Sequence, residues 1–168
     1  MMVGVGAYMD MQALDRAEAM HRDYNDDWLS SGFVKMFIDG VLDSHTALMV
    51  DDYPNAPGDR GMPLFELDRY SAICTEIDRR RLQIAVHSIG DGAVRATLDG
   101  YEAALKANGP WDSRHRVEHV EIINRADIPR FAALGVTALG LALQVSALEW
   151  CALALAMALV LGAEALNT

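Results

Sequence analysis

Two apolar runs in this chain each end on a histidine: Leu82-Gln-Ile-Ala-Val-His87 and, within Arg114-His-Arg-Val-Glu-His119, the stretch from Arg116 to His119. A neutral imidazole at the carboxyl end of a strand is a favoured ligand for zinc and similar divalent ions. Two of them on neighbouring parallel strands could share one ion. A third group sits in Phe33-Val-Lys-Met-Phe-Ile38. Residues two apart on a strand share a face, so Lys35 lies with Phe33 and Phe37, opposite Val34, Met36 and Ile38. If the aliphatic face packs under helices, the lysine is enclosed. An enclosed ammonium needs a partner, a lowered pKa or covalent modification.

The same parity turns Leu82, Ile84 and Val86 toward the helices and leaves Gln83, Ala85 and His87 on the inner face. For the third run it groups Val117 with His119 and Arg116 with Glu118. The expectation is that Val117 and His119 face inward, while Arg116 and Glu118 neutralise one another against the helices. Lys35, His87 and His119 would then meet at the carboxyl end of a sheet, where active sites of α/β barrels lie. Spacing alone leaves a hydrogen-bonded core histidine as open a reading as a ligand.

The elements that must carry these groups follow from periodicity and punctuation. Val3 to Tyr8 reads as a strand and Met11 to Tyr24 as a helix, with Met11, Leu14, Ala17 and Met20 at helical spacing. Phe33 to Ile38 is a strand, bounded by Gly32 and Asp39-Gly40. A polar loop with Pro54, Pro57, Gly58 and Gly61 runs from Asp39 to Pro63; loops this long are often functional. Leu64 to Arg81 reads as a helix, with Leu64, Leu67, Tyr70, Ile73, Cys74 and Ile77 on one face. Leu82 to His87 is the next strand. Asp91 is placed to cap a helix bearing Val94, Leu98, Tyr101 and Leu105, ended by Asn108-Gly109-Pro110. Arg116 to Val120 is a strand, Arg125 to Leu134 a helix, and Gly135 to Ala138 opens another strand. Strands alternating with helices imply an α/β fold with a parallel sheet and right-handed crossovers.

Bulk composition sets limits. The chain has 168 residues, short for a closed eight-stranded α/β barrel of ~250 residues. Its formal net charge of -10 argues against nucleic acid as a partner, which requires clustered Lys and Arg. The basic cluster Arg79-Arg80-Arg81 ends a helix, where cations complement the dipole. Cys74 and Cys151 lie far apart in sequence, so a disulfide framework is not expected and a reducing, cytoplasmic compartment fits. The amino terminus shows no basic segment followed by an apolar one, hence no secretory signal.

Three ordered motifs give a resemblance: Val34-Lys-Met-Phe-Ile-Asp-Gly40 with Ser44-His-Thr-Ala47, Ala85-Val-His-Ser-Ile-Gly-Asp91, and Arg114-His-Arg-Val-Glu-His119. Over about residues 3–138 the chain resembles the amidohydrolase superfamily, in the branch of N-substituted-formamide deformylase-like enzymes. The resemblance implies a partial TIM-like (β/α) barrel and hydrolysis of an amide or other non-peptide C–N bond in a small molecule. It implies zinc or another divalent metal, one or two ions, held by Lys35, His87 and His119. In many members the matching lysine is carboxylated and bridges metals. Asp39 and the loop after it match the segment bordering the substrate pocket, which makes Asp39 a catalytic candidate. Asp91 matches a motif aspartate that serves either as a helix cap or in catalysis. His45 and His115 are candidates for touching substrate, the alternatives being a solvated loop histidine and a residue leading into a strand.

The resemblance also has departures. The family's first metal motif, a His-X-His pair, and its last, an aspartate, have no counterpart in these residues. The expectation is that this chain alone binds metal weakly and turns over little or no substrate, or is a non-catalytic remnant of a barrel. An oligomer covering the open barrel edge is a further expectation.

After about Leu139 the composition turns almost wholly apolar, dividing the chain into residues 1–140 and 141–168. Trp150 to Ala163 carries no charge and Glu164-Ala-Leu-Asn-Thr168 follows. Residues 143–168 resemble a transmembrane helix of prokaryotic diacylglycerol/undecaprenol kinases, in which Glu164 would match a glutamate at the phosphoryl-transfer site. The run is shorter than the ~20 apolar residues that span a bilayer. Either it packs as an apolar helix on the edge of the sheet, or residues 141–163 contact a membrane. A membrane-associated kinase fragment is thus the alternative function. A switch between two families in one short chain suggests a fusion of two gene fragments.

Overall fold

Apolar faces at a period of two on four short strands, and at a helical period on the segments between them, dictate the architecture. The computed structural model describes residues 11–24, 26–28 and 31–140. Their elements in chain order are α1 (Met11–Asp23), β1 (Phe33–Phe37), α2 (Leu67–Arg79), β2 (Gln83–Ser88), α3 (Asp91–Asn108), β3 (Arg116–His119), a 3-10 turn (Arg125–Asp127), α4 (Ile128–Ala133) and β4 (Thr137–Leu139). The strands form one sheet in the order β1-β2-β3-β4, with every neighbouring pair parallel. Parallel neighbours cannot be joined by hairpins, and α2, α3 and α4 serve as the crossovers. The α/β expectation holds.

One face of the sheet is apolar apart from Ser88, whose buried hydroxyl bonds Thr97 of α3 at 2.8 Å. Val34, Met36, Ile38, Leu82, Ile84, Val86 and Val117 are buried in one cluster with Tyr70, Ile73, Cys74 and Ile77 of α2 and Val94, Leu98 and Tyr101 of α3. This cluster holds the strands rigidly enough to position side chains on the opposite face. Helices α2 and α3 meet closely at Gly100, where an added Cβ would lie 2.7 Å from Tyr70 Cε1 and 3.0 Å from Cys74 Sγ.

Three expectations are corrected. Helix α2 begins at Leu67 rather than Leu64, because the Leu64 N–H donates to the Ile38 carbonyl at 2.8 Å, extending the edge of β1. Leu64 and Leu67 are accordingly exposed. The cap of α3 is Gly90, and Asp91 is the first helical residue with its carboxylate turned to the preceding loop. Most consequential, β3 presents the opposite parity from that expected. Val117 is fully buried in the helix-side cluster, so Arg116 and Glu118 lie on the inner face with Lys35 and His87. The physical reason is that the slot under α3 rewards an aliphatic side chain and penalises two charges.

The expected strand from Val3 to Tyr8, the segment 141–168, Cys151 and Glu164 lie outside the described residues. Among the described residues no helix is long and apolar enough to cross a membrane.

Candidate functional site

The inner face of the sheet carries a ladder of charges and rings. In the register, Lys35 stands beside Ala85 and Ala85 beside Arg116; one step on, Phe37 stands beside His87 and His87 beside Glu118. The small Ala85 leaves a lane through which Lys35 reaches across β2 to form an ion pair with Glu118. Arg116 Nε donates to the other Glu118 oxygen at 3.0 Å. Each cation also caps an aromatic ring: Lys35 Nζ lies 4.8 Å from the Phe37 centroid, and the Arg116 guanidinium 4.8 Å from that of Phe33. Burial pushes the Glu118 carboxyl upward, but Lys35 and Arg116 outweigh it and hold the carboxyl below its ordinary range. The partner that an enclosed lysine demands is thus Glu118, which sequence parity had turned the other way.

His87 and His119 meet at the carboxyl end. Their ring centroids lie 4.6 Å apart with planes at 65°. Strict alternation would send the side chain after Glu118 back toward the helices. Instead the backbone turns at the strand end: φ is 79° at His119 and 47° at Val120. The Val120 N–H still reaches the Ser88 carbonyl at 3.1 Å. Gly140 lies against the His119 carbonyl so closely that any side chain there would overlap it. Burial, with the neighbouring His87 and Lys35 charges, lowers the His119 pKa, which favours a neutral ring with a free lone pair.

The His87 ring is oriented by its surroundings. Its Nε2 lies 2.9 Å from the Gly40 carbonyl, which can only accept, so Nε2 donates and Nδ1 keeps the lone pair of the neutral ring. Asp39 Oδ1 is 3.8 Å from the same Nε2. The Asp39 carboxylate, 1% exposed, accepts three backbone N–H groups, from Leu48 at 2.9 Å, Ile89 at 3.0 Å and Gly90 at 2.9 Å. Burial raises its pKa against the pull of those bonds and of His87. Asp91 accepts the Val50 N–H at 2.9 Å. Both aspartates therefore clasp the long loop to the β2–α3 turn.

His45 lies in that loop, stacked on Tyr53 at 4.3 Å with its Nδ1 3.2 Å from Asp59. His115 lies elsewhere. Preceding β3, it is at the amino-terminal end of the sheet and 4% exposed. It accepts the Ile84 N–H at 3.1 Å through Nδ1 and donates from Nε2 to Asp78 at 2.9 Å. Trp111 Nε1 and Asn108 Nδ2 also donate to Asp78, at 2.6 and 2.7 Å. A cavity of about 250 Å³ bordered by Asp78, Trp111, His115 and Leu134 lies at this end, away from the histidine pair. The structure thus brings Lys35, His87, His119 and Asp39 together, puts Asp91 and His45 on the adjoining loop contacts, and sets His115 apart. Glu118 and the Gly40 carbonyl were missed. The aliphatic-face rule used on β1 and β2 would have found Glu118 had it been applied to Val117.

The donor chemistry fits a divalent metal as far as two imidazoles can supply it. A metal-binding histidine characteristically gives its second ring N–H to a carbonyl or carboxylate, and His87 does so. Among the described residues no three His, Cys, Asp or Glu side chains converge on one metal position.

Comparison with known proteins bears on the family. The chain is 38% identical over 112 residues to the protein LONG AFTER FAR-RED 3 of Arabidopsis thaliana, covering 67% of this chain and 19% of that protein. It superposes on an uncharacterized metal-dependent hydrolase of Pyrococcus horikoshii with a TM-score of 0.62 and 26% identity, over 78% of this chain and 26% of the other. A corresponding hydrolase of Pyrococcus furiosus gives 0.61 and 27%, over 76% and 26%. The chain therefore spans about a fifth to a quarter of each of these proteins. The amidohydrolase family model matches residues 3–149. That match runs into the segment read as kinase-like from Leu143 onward, and none of these findings supports the kinase reading. On the strength of the family match, the chain belongs to the amidohydrolase family.

Proposed function

We propose that the chain is the central portion of a metal-dependent hydrolase that cleaves an amide or other non-peptide C–N bond in a small molecule, as in the N-substituted-formamide deformylase-like branch. The four parallel strands form part of a (β/α) barrel. The carrying observation is the His87–His119 ring pair, 4.6 Å apart at the carboxyl ends of adjacent strands. The Pyrococcus relatives named as metal-dependent hydrolases support the same reading. Among the described residues β1 and β4 are the edge strands of the sheet, and a second copy, or further strands, would pair with them.

His87 and His119 would hold the ion, zinc or a similar divalent metal, and Lys35, ion-paired with Glu118 here, would join them only once carboxylated. When bound, the metal supplies Lewis-acid polarisation of the scissile carbonyl. The chain's own residues prepare that site. His87 keeps its proton at Nε2, on the Gly40 carbonyl. Glu118 holds Lys35 over Phe37. The loop from Asp39 to Pro63, clasped by Asp39 and Asp91, forms a fixed wall beside the pair.

Zinc titration by calorimetry, with metal content by plasma mass spectrometry, tests this reading. His87→Ala and His119→Ala are each expected to weaken binding at least about tenfold. Equal zinc binding by the native chain and both variants would overturn it. Hydrolysis of a panel of N-substituted formamides then tests the bond type.

A further inference from the structure

Two acceptors face His87 Nε2, the Asp39 carboxylate and the Gly40 carbonyl. The carboxylate oxygen Oδ1 lies 3.8 Å from His87 Nε2. The Gly40–Val41 peptide, whose N–H is held by Thr46 Oγ1 at 2.9 Å, presents the Gly40 carbonyl to the same nitrogen at 2.9 Å. Both favour one tautomer. A carbonyl accepts only from a protonated nitrogen, and a negative charge stabilises the ring whose proton points at it. Asp39 fixes the chain just before Gly40, through three N–H partners from the loop at Leu48 and from the turn at Ile89 and Gly90. The carboxylate has no room to act otherwise, since it is 1% exposed and its oxygens are taken by these bonds.

We propose that Asp39 is the positioning residue of His87: by anchoring the chain just before Gly40 and setting its carboxylate toward Nε2, it selects the Nε2–H tautomer and leaves Nδ1 free as the acceptor. This goes beyond gripping the loop. Asp91 also grips the loop, through Val50, but bonds to nothing that touches the His87 ring. The role of Nδ1 as a metal ligand rests on the function proposed above; the tautomer is a property of the metal-free chain.

Asp39→Asn separates the two. An amide keeps the size but turns one acceptor into a donor, which must confront one of the three N–H groups, and it removes the charge facing Nε2. Asp39→Ser removes the charge without that confrontation and serves if the first variant fails to fold. The measurement is a long-range proton–nitrogen spectrum of the metal-free chain with 15N-labelled histidine. In the native chain His87 is expected to show a protonated Nε2 and an unprotonated Nδ1. Asp39→Asn, or Asp39→Ser, is expected to give a mixture of tautomers at His87, whereas Asp91→Asn leaves the His87 signals as in the native chain. A native His87 protonated at Nδ1, or Asp39 variants that keep a pure Nε2–H ring, would overturn the proposal. So would an Asp91→Asn spectrum as mixed as that of Asp39→Asn, since the effect would then belong to the loop. Adding zinc to the native chain tests the metal reading separately: a His87 Nδ1 signal unmoved by zinc, with the tautomer as stated, sinks that reading and leaves the role of Asp39 standing.

Discussion

Lys35 and Glu118 form an ion pair between β1 and β3 that crosses over Ala85 of the strand between them. The pair, with 13% and 16% of its side chains exposed, gives an inner face that carries two cations, Lys35 and Arg116, a carboxylate that both share. Removing the anion leaves the enclosed Lys35, and Arg116 beside it, without that carboxylate. Glu118→Gln is therefore expected to destabilise the fold by about 1–3 kcal/mol, below the ~3–5 kcal/mol of a fully buried pair because water still reaches this one. Urea denaturation checks it. Adding Lys35→Met to Glu118→Gln should recover part of the loss, and a double variant no more stable than the single one would contradict the pairing argument.

The buried His115 makes stability depend on pH. Burial lowers its pKa from the ordinary 6.5, more than the Asp78 carboxylate raises it. Below that value the unfolded chain takes up a proton that the folded chain refuses. Its contribution is thus complete above about pH 6.5 and is lost as the pH falls through the folded pKa. Denaturation midpoints at about pH 7.5 and about pH 5 should differ more for the native chain than for His115→Gln. Equal differences would remove His115 as a cause.

Cys74 is fully buried and its thiol is pushed up to about 12. Thiolate is the reactive form, so the folded residue should be inert. In a Cys151→Ser background, reaction with an aromatic disulfide is expected to proceed at the rate of unfolding and to accelerate with urea. Labelling within the mixing time in buffer would show that α2 does not shield it.

Gly100 sets the distance between α2 and α3. Alanine would gain about 0.5–1 kcal/mol of helix propensity. It would also force Tyr70 and Cys74 aside, an overpacking cost of about 1–3 kcal/mol. The second effect should prevail, so Gly100→Ala is expected to lower the thermal midpoint. A raised midpoint would mean that the Tyr70 ring has room to yield.

Much of the design could be read from residue types. The aliphatic runs of β1 and β2 set which side of each strand meets the helices, and Val34, Ile84 and Val86 are buried as that rule requires. Gly109, with φ of 77°, ends α3 where the Asn-Gly-Pro signal falls. The start of α2 was not legible, because the pull on Leu64 comes from the Ile38 carbonyl, a partner 26 positions back in the chain.

The chain of residues by itself determined the α/β alternation, the parallel sheet and the place of His87 and His119 at the ends of adjacent strands, with Lys35 midway along β1, because local periodicity and burial act on each strand separately. Only the tertiary structure decided how those groups meet. Val117 took the helix-side slot and sent Glu118 inward to Lys35. A left-handed backbone turn at His119 then brought its ring back to His87. Such choices depend on which neighbour competes for a shared space, and alternation along one strand carries no record of that competition.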